Sequence, residues 1–481
     1  MNEQFIFWDL ETTGKSKSAF SGYNQITQVG AILTDHNFEI KDKLEINIKL
    51  REGKWFEPGA LLTTGIDPTS LIINNYPNFY EGISQLYETF QQWSIGSTTF
   101  IGFNNISFDE AHLRQALYQN LMPEVYMTVT NNNSRMDVYD ILRYVNVYDP
   151  EIIKINTHED GKQSLKLEDV SKANNISTNY EAGPHDAVYD SLITLELNKV
   201  LSIRSPKIWN AAYEFRHRDT PKKFMVDNLV FTNTNFFKKT NKIDAQTSIA
   251  QIPGEKHKFL VFNLLYDPKK LHNLKDEDLA KKVDKSNKDR ICEVFDCSKS
   301  KVLLNESYCF KDNRYIEIGV DELRNRANFI KKNEEFCSRL IKLYLSKNKF
   351  DYDDPFTIEE RIFDGFPSHQ DKKLMIDFHT SPNNKKYEIA KQFKDERYKE
   401  IAVRIIYEIA QDTLPEQEKR NYEFEIRDRF NDNDKAKWNS KNTILANLEK
   451  DIHKMIQDEN DRALFKQKVI TFLNNESAKW D

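Results

Sequence analysis

The sequence contains little cysteine and no long apolar run. Only four of its 481 residues are cysteines, and none of them forms a Cys-x-x-Cys pair. A disulfide framework or a zinc ribbon is therefore not expected, a reducing compartment fits better, and Cys292 and Cys297 are interpreted as core thiols. No stretch approaches the roughly 18 uncharged apolar residues of a membrane span, and no basic segment precedes the first apolar residues. We therefore expect a cytoplasmic protein without a membrane partner.

The excess of acid over base is small, but it is unevenly distributed along the chain. The formal net charge of −6 taken alone argues against a nucleic acid as a partner. Residues 1–200 carry a net charge of −12, residues 201–310 carry +7, and the remaining residues carry −1. An acidic front segment is compatible with carboxylates gathered for metal, and a basic middle segment with a polyanion. Solvated surface charge is the alternative explanation for both segments.

Length and apolar pattern predict several domains. A chain of 481 residues is too long for one core and corresponds to roughly two to four domains. Residues 1–200 alternate strand-like and helical segments, which indicates a mixed α/β sheet. Residues 201–350 contain short strand-like runs, including residues 224–231, whereas residues 351–481 show the apolar spacing of amphipathic helices. The predicted helices include residues 79–93, 187–201, 276–283 and 322–345.

Two carboxylates stand at the end of the first predicted strand. Asp9 and Glu11 are two residues apart, so a strand points both side chains to the same face. A Thr-Thr-Gly turn follows them, and ligands collect at the carboxyl ends of strands in α/β sheets. Two like charges this close repel each other and are stabilised by a cation between them. The alternative is an ordinary strand end with two solvated acids.

Two later segments also place acids at the ends of predicted elements. Asp109 follows an apolar strand and a polar turn, and it begins a predicted helix whose dipole also favours an acid. His185 precedes another predicted helix, and Asp190 lies about one and a half turns inside it. The alternatives are a helix-terminal acid for Asp109, a loop histidine for His185, and a capping or surface acid for Asp186 or Asp190.

Taken together, the four acids and the histidine have the composition of a metal-dependent hydrolytic site. The expected oxygen ligands of two hard cations, Mg²⁺ or in its place Mn²⁺, are Asp9, Glu11, Asp109 and Asp190. Two metals roughly 3.5–4 Å apart can activate a water and stabilise the leaving oxygen in phosphodiester hydrolysis. A histidine ordinarily titrates near neutrality, so His185 is suited to accept the proton of that water.

The three segments resemble the exonuclease motifs of the DEDDh superfamily, which is named for four acids and a histidine. The resemblance rests on Asp9-Leu10-Glu11, on residues 104–109 and on the four-residue spacing between His185 and Asp190. Another branch of the superfamily has Tyr-x3-Asp in the third motif, whereas position 186 is aspartate here. The resemblance implies that the four acids hold metal and that His185 is the general base.

Similarity to bacterial exonuclease I extends over nearly the whole chain. It rests on residues 133–143, 164–176, 299–304 and 354–366. The resemblance implies a ribonuclease H-like exonuclease domain, a small SH3-like domain and a helical domain at 1–200, 201–350 and 351–481. It also implies Mg²⁺-dependent degradation of single-stranded DNA from the 3′ end, with release of nucleoside 5′-monophosphates, in DNA repair and recombination. We expect a monomer.

Most of the expected DNA contacts are basic residues. The residues expected to touch the substrate are Glu11, Lys166, Arg114, Arg143 and Lys299. Lys166 stands where the family uses a basic residue near the terminal nucleotide, and the others are expected along the backbone or at the site. A solvated charge is the alternative for each basic residue. Contacts to phosphate position a strand without reading its sequence, so weak sequence preference is expected. Residues 236–239 place two aromatic residues beside two basic ones, which suits either base stacking or a core edge.

One partner and two rival functions remain open at this stage. The family also binds the acidic tail of the single-stranded-DNA-binding protein, but Asp149 falls about where a basic residue for that contact is expected. One rival is another DEDDh enzyme that trims RNA or proofreads for a polymerase, although such enzymes are usually shorter. The other rival is a non-catalytic single-strand-binding protein, which the presence of all five site residues disfavours.

Overall fold

The computed structural model describes most of the chain, in seven segments. These are residues 3–14, 22–72, 75–157, 161–236, 241–348, 354–430 and 437–479. Contacts divide the chain into two units, each built from segments that are far apart in sequence. The first unit consists of Met1–Asn133, Thr178–Ile193 and Asp354–Asp481. The second unit consists of Ser134–Ser177 and Thr194–Asp353.

The strands fall into two groups along the chain. The strands are β1 (Gln4–Thr12), β2 (Ile26–Asp35), β3 (Ile40–Asn47), β4 (Thr98–Gly102), β5 (Ser134–Asp137), β6 (Phe231–Phe236), β7 (Asn241–Gln251), β8 (Lys258–Asn263), β9 (Cys292–Asp296) and β10 (Leu304–Asn305). The first four belong to the first unit and the others to the second.

Helices account for most of the remaining described chain. The α-helices of the front half are α1 (Pro58–Thr64), α2 (Phe79–Trp93), α3 (Asp109–Gln119), α4 (Val138–Tyr148), α5 (Leu167–Ala173), α6 (Ala187–Arg204), α7 (Pro206–Glu214) and α8 (Thr220–Asp227). Those that follow are α9 (Pro268–His272), α10 (Asp276–Val283), α11 (Asn313–Ile318), α12 (Val320–Lys332), α13 (Glu334–Lys347), α14 (His369–Thr380), α15 (Asn383–Ala390), α16 (Glu396–Ala410), α17 (Glu416–Phe430), α18 (Lys441–Met455) and α19 (Glu459–Ser477). The predicted helices at residues 79–93 and 276–283 are confirmed.

The sheet of the first unit is mixed, as the alternating pattern predicts. Its strands are hydrogen-bonded in the order β3-β2-β1-β4, with β1 antiparallel to β2 and parallel to β4. Alternate side chains of β1, among them Trp8 and Leu10, enter the hydrophobic core. Because side chains alternate along a strand, Asp9 and Glu11 point to the opposite face. One face of β1 therefore packs in this hydrophobic core, and the other face carries the two acids.

The C-terminal helices share their cores with the front of the chain in the first unit. Tyr118 of α3 packs in one cluster with Ile401 and Ile405 of α16, and its hydroxyl donates to a carbonyl of the C-terminal segment. Phe56 lies in another cluster with Phe472 of α19, with ring centroids 5.1 Å apart. These clusters explain why residues separated by more than 200 positions fold as one unit.

The second unit contains a five-stranded antiparallel sheet in the order β10-β6-β7-β8-β9. Its hydrophobic cluster includes Phe231, Val261 and Phe295. This arrangement agrees with the β-rich character predicted for the middle of the chain. Cys292 and Cys297 are buried and unbonded to each other, as expected of core thiols.

Two predicted elements differ from the structure. Residues 224–231 were expected to form a strand, but residues up to Asp227 belong to α8, and β6 begins only at Phe231. Pro221 occupies the first turn of α8, where a backbone N–H would have no partner within the helix, so the proline is tolerated there. The prediction was wrong because a short apolar run fits a strand and a buried helix equally well. Residues 322–345 are divided between α12 and α13, which meet at Asn333.

Some expectations fall wholly or partly outside the described residues. Among the aromatic and basic residues 236–239, only Phe236 is described. Residues 351–353, at the start of the predicted helical domain, also lie outside them. Within the described residues, no helix has both the length and the apolar character needed to span a membrane.

Candidate active site

The antiparallel pairing of β1 and β2 sets the neighbours of the two strand-end acids. Asp9 lies opposite Gly30 and Glu11 lies opposite Gln28. Glu11 is buried, and Asp9 is partly buried. The turn after Glu11 is held by buried polar contacts, because the Asn24 amide donates to the Gly14 carbonyl over 2.9 Å. The backbone at the end of β1, which carries both carboxylates, is therefore held in place.

Helix α6 begins directly against β2, beside these acids. A Cβ atom on Gly30 would lie 2.1 Å from the carbonyl carbon of Ala187, so only glycine permits this approach. The Ser191 hydroxyl donates to the Gly30 carbonyl over 3.0 Å and holds the first turn of the helix against the strand. This packing brings the segment that carries His185 and Asp190 next to the strand position opposite Asp9.

The histidine predicted as the base lies in a constrained loop before α6. His185 has a left-handed φ of 68°, a conformation that costs a non-glycine residue about 1–3 kcal/mol unless its surroundings hold it. Its backbone N–H donates to Asp190 Oδ2 over 3.1 Å. Side-chain oxygen or nitrogen atoms of Glu11, His185 and Asp190 all lie within 4.8 Å of one another. The structure thus brings together three of the five predicted site residues within metal-binding distance.

The remaining two predicted residues, Asp9 and Asp109, contribute negative charge to the same site. Asp109 is the first residue of α3 and is buried. Burial first, and then the carboxylates of Asp109, Asp190 and Glu11, raise the pKa of Asp9 well above its ordinary value. A buried carboxylate among three others is unstable as an anion unless a cation neutralises it. The donor set of four carboxylates therefore fits hard divalent cations.

Asp186, for which capping was one alternative, caps the helix. Its Oδ1 accepts the backbone N–H groups of Val188 over 3.1 Å and Tyr189 over 3.0 Å. Its Oδ2 accepts a hydrogen bond from Gln28. Neither Gln28 nor Gly30 was identified from the sequence. The available signal was the presence of a polar residue and a glycine in an otherwise apolar strand.

A buried histidine beside the site was also missed. His112 of α3 is 3% exposed, and its Nδ1 lies 3.2 Å from the Phe108 carbonyl oxygen. Phe108 packs against the same imidazole, with ring centroids 4.4 Å apart. Burial lowers the pKa of His112 to about 4. The neutral imidazole is therefore part of the folded state, and it supports the turn that precedes Asp109.

Protonation of His112 is expected to destabilise the protein in mild acid. The imidazole titrates near pH 6.5 in the unfolded chain and near pH 4 in the folded chain, so the unfolded chain binds more protons between these values. The contribution of the neutral imidazole to the free energy of unfolding is fully present above pH 6.5, and it falls by about 3 kcal/mol as the pH drops to 4. Urea unfolding of the wild type and His112→Gln at pH 7 and pH 5 measures it. Equal losses in both proteins would contradict the assignment.

The basic residues predicted to contact DNA are each held by a neighbouring acid or ring, or are exposed. In the first unit, Arg114 forms an ion pair with Glu110 and lies over the Tyr126 ring, 5.2 Å from its centroid. In the second unit, Arg143 pairs with Asp140 over 2.9 Å.

The two lysines predicted to contact DNA both belong to the second unit. Lys166 is largely exposed and lies 3.1 Å from Glu168. Lys299 is exposed at the end of the short 3₁₀ helix Cys297–Lys299. Exposed ammonium groups of this kind are available to a polyanion, and the roles of both lysines stay predictions.

Comparison with known proteins finds matches to exonucleases. Residues 6–198 match the family model described as exonuclease, and residues 357–475 match that of the exonuclease I C-terminal domain. Exodeoxyribonuclease I of Buchnera aphidicola subsp. Baizongia pistaciae is 33% identical over 215 residues, which are 44% of this chain and 42% of that protein. Its counterpart from Buchnera aphidicola subsp. Schizaphis graminum is 26% identical over 83% of this chain and 82% of that protein.

The fold agrees with these matches. The structure of Escherichia coli exonuclease I in complex with a dA16 oligonucleotide superposes with a TM-score of 0.81 at 19% identity, over 98% of this chain and 100% of that one. The two family matches together cover more than half of the sequence, and they include both the acidic site and the C-terminal helices. The chain therefore belongs to the exonuclease I family.

Proposed function

We propose that this protein is a 3′→5′ exonuclease specific for single-stranded DNA, which releases nucleoside 5′-monophosphates. The observation that carries the proposal is the meeting of Glu11, His185 and Asp190 within 4.8 Å, beside the partly buried Asp9, in a chain of the exonuclease I family. Two divalent cations, Mg²⁺ or in its place Mn²⁺, complete the site. The protein acts as a monomer in the cytoplasm, in DNA repair and recombination.

The cations would be held by the acids at the end of β1 together with those at the starts of α3 and α6. The proposed ligands are Asp9, Glu11, Asp109 and Asp190. Bound divalent cations favour ionisation of a water and neutralise the charge that develops on the leaving oxygen. The protein's own contribution is to keep the acids rigid, through the pairing of β1 with β2 and the packing of α6 on Gly30.

His185 is the proposed general base. Its imidazole accepts a proton from the water that attacks the terminal phosphodiester, and the bond to the 3′ oxygen of the preceding nucleotide breaks. The terminal nucleotide leaves with a 5′-phosphate, and the 3′ oxygen of the shortened strand takes up a proton from solvent to become a 3′ hydroxyl. Asp190 assists by accepting the His185 backbone N–H, which restrains the loop from which the imidazole extends.

The proposed division of labour follows the domains. Residues 1–200 form the exonuclease domain, residues 201–350 an SH3-like domain and residues 351–481 a helical domain. Lys166 contacts the substrate near the terminal nucleotide and Arg143 contacts its backbone, both from the exonuclease domain, whereas Lys299 contacts the backbone from residues 201–310, which are net positive. Glu11 also touches the terminal nucleotide. Contacts of this kind bind every sequence with similar strength.

An exposed aromatic surface in the first unit adds a place for bases. Phe366 is 78% exposed, and its ring centroid lies 5.8 Å from that of Tyr126. Phe363 is 64% exposed, and these three rings line a largely apolar cavity of about 250 Å³. Arg114 lies over Tyr126, so a cation adjoins the rings. Aromatic faces beside basic groups are the usual means of binding single strands without sequence preference.

Replacement of Phe366 by alanine is expected to weaken substrate binding without slowing the chemical step. Loss of one base–aromatic stack costs about 1–3 kcal/mol, so the KM for a long oligonucleotide is expected to rise roughly tenfold at unchanged kcat. Phe424→Ala is the matched control, since Phe424 is 70% exposed on α17. A KM that changes equally in both variants would contradict a specific role for Phe366.

Hydrolysis of labelled oligonucleotides tests the proposed function directly. The substrates are a 3′-labelled and a 5′-labelled single DNA strand, the matching duplex and the same sequence in RNA, each with Mg²⁺ and with a chelator. The expected result is immediate release of a labelled mononucleotide from the 3′-labelled DNA strand and progressive shortening of the 5′-labelled one. Robust release from the duplex, faster release from RNA, or release in the chelator would overturn the proposal.

Binding of the single-stranded-DNA-binding protein is a separate part of the proposal. The acidic tail of that protein requires a basic pocket, and Asp149 departs from the expected pattern. In the second unit Asp149 ends α4 and accepts a hydrogen bond from the Ser205 hydroxyl. Fluorescence anisotropy with a labelled tail peptide measures whether the partnership is retained.

A further inference from the structure

Gln28 uses both ends of its side-chain amide to hold the start of α6. It lies in β2 directly opposite Glu11 and is 7% exposed. Its Nε2 donates to Asp186 Oδ2 over 2.8 Å, and its Oε1 accepts the backbone N–H of Ala187 over 3.0 Å. One buried side chain therefore ties the last residue of the loop and the first residue of α6 to the strand that pairs with β1.

The carboxylate that Gln28 orients has a second task. The other oxygen of Asp186 accepts the N–H groups of Val188 and Tyr189, which are among the unpaired donors of the helix N-terminus. Gln28 therefore fixes the rotation of the carboxylate that caps α6. Both the direction of the first turn and the position of Asp190 within it depend on this contact.

His185 stands immediately before these anchored residues. Its φ of 68° and its hydrogen bond to Asp190 mean that its backbone is held from the C-terminal side, by residues 186–190. Residue 187 is in turn pressed against Gly30 of the same strand. The position of the imidazole relative to Glu11 therefore depends on the attachment of residues 186 and 187 to β2.

We propose that Gln28 is a positioning residue for the reaction: it sets the location of the His185 imidazole through Asp186 and Ala187. This inference rests on the proposed function. The pattern requires one donor and one acceptor on a single side chain of this length, which only glutamine supplies. Glutamate at position 28 keeps an oxygen that accepts the Ala187 N–H. Its second oxygen replaces the amide donor that faces Asp186, so two carboxylates repel each other there.

A reciprocal exchange of the two polar groups tests the proposal. In Gln28→Glu the hydrogen bond to Asp186 is lost. In the double variant Gln28→Glu/Asp186→Asn the amide of residue 186 donates to residue 28, while its oxygen still caps α6 and the net charge equals that of the wild type. The kcat of Gln28→Glu is expected to fall about 10- to 100-fold, the usual effect of a small misplacement, with the KM for single-stranded DNA nearly unchanged. The double variant is expected to recover most of the kcat.

Gln25, one residue before β2, provides a matched control. It is also buried, and its side-chain amide donates to the Lys49 carbonyl over 2.8 Å and accepts the Arg51 N–H over 3.0 Å. Gln25→Glu is expected to lower the melting temperature but to keep the wild-type kcat. Hydrogen exchange of the peptide that spans residues 185–189 is expected to be faster in Gln28→Glu, and normal in Gln25→Glu and in the double variant.

The outcomes separate a positioning role from a merely stabilising one. Wild-type kcat in Gln28→Glu, an equal loss of kcat in Gln25→Glu, or a double variant that regains melting temperature but not kcat would each overturn the proposal. If the wild type releases no nucleotide, the proposed function fails by itself. Exchange then decides the positioning role: faster exchange in Gln28→Glu that the double variant reverses supports it, and unchanged exchange overturns it.

Discussion

Replacement of Asp9 by asparagine is expected to abolish hydrolysis of single-stranded DNA while making the metal-free protein more stable. Asparagine has the shape of aspartate but no charge, so it removes a cation ligand and leaves the packing of β1 intact. Several kcal/mol of charge stabilisation in the transition state correspond to about three powers of ten in rate. We therefore expect a kcat at least a thousandfold lower than that of the wild type, roughly at background.

The gain in stability follows from the raised pKa of Asp9. Burial and the carboxylates of Asp109, Asp190 and Glu11 favour the protonated form in the folded chain. A group of this kind contributes fully to stability below its unfolded pKa, and the contribution is lost as the pH rises toward its folded pKa. The uncharged variant lacks this loss, so its advantage over the metal-free wild type is expected to grow as the pH rises from about 4.

Thermal unfolding with increasing Mg²⁺ measures both effects in one experiment. Cations that bind only the folded protein raise the melting temperature of the wild type by mass action, and this rise is expected to be much smaller in Asp9→Asn. Glu39→Gln is the control, because Glu39 is an exposed acid at the start of β3. Retained hydrolysis in Asp9→Asn, or a metal-free variant less stable than the wild type, would contradict the role of Asp9 as a buried metal ligand.

Replacement of His185 by alanine is expected to lower kcat by about two to four powers of ten, the usual contribution of a general base. Binding of single-stranded DNA and the stabilisation by Mg²⁺ are expected to remain, since the acids are untouched. His36→Ala is the matched control, because His36 is exposed in the turn between β2 and β3. Single-turnover hydrolysis at saturating enzyme separates the chemical step from binding and product release.

The same variant distinguishes a base from a metal ligand at position 185. Side-chain atoms of His185 lie within 4.8 Å of Glu11 and Asp190, so a direct contact with a cation is the competing role. A ligand would lower the stabilisation by Mg²⁺ together with kcat, whereas a base would lower kcat alone. Wild-type kcat in His185→Ala would refute both roles.

The class of the protein and its candidate site residues were predicted from local pattern together with the resemblance of three motifs to the DEDDh superfamily. The strand that ends at Asp9 and Glu11, the helix that begins at Asp109 and the helix that follows His185 are short-range features. They can be recognised because side-chain period and element ends are properties of neighbouring residues. The same reasoning misassigned residues 224–231, where an apolar run without clear period fits either a strand or a helix.

The distribution of charge along the sequence did not show which basic residues are paired with acids. Arg114 and Arg143, which were expected to meet DNA, are paired in the structure with Glu110 and Asp140. A sequence shows how many charges a segment carries, and pairing depends on which side chains the helix places side by side. Their roles in binding the substrate stay predictions that the KM values of single variants can test.

The sequence by itself determined which side chains are available for the reaction and in which order they occur. The tertiary structure alone decided where they meet. Gln28 and Asp186 are 158 residues apart, and no local pattern in either segment predicts the hydrogen bond between them. Gly30 reads as an ordinary strand residue until α6 lies on it. The physical reason is that periodicity reports only local geometry, whereas the site depends on close contact between a strand and a helix that are remote in the chain.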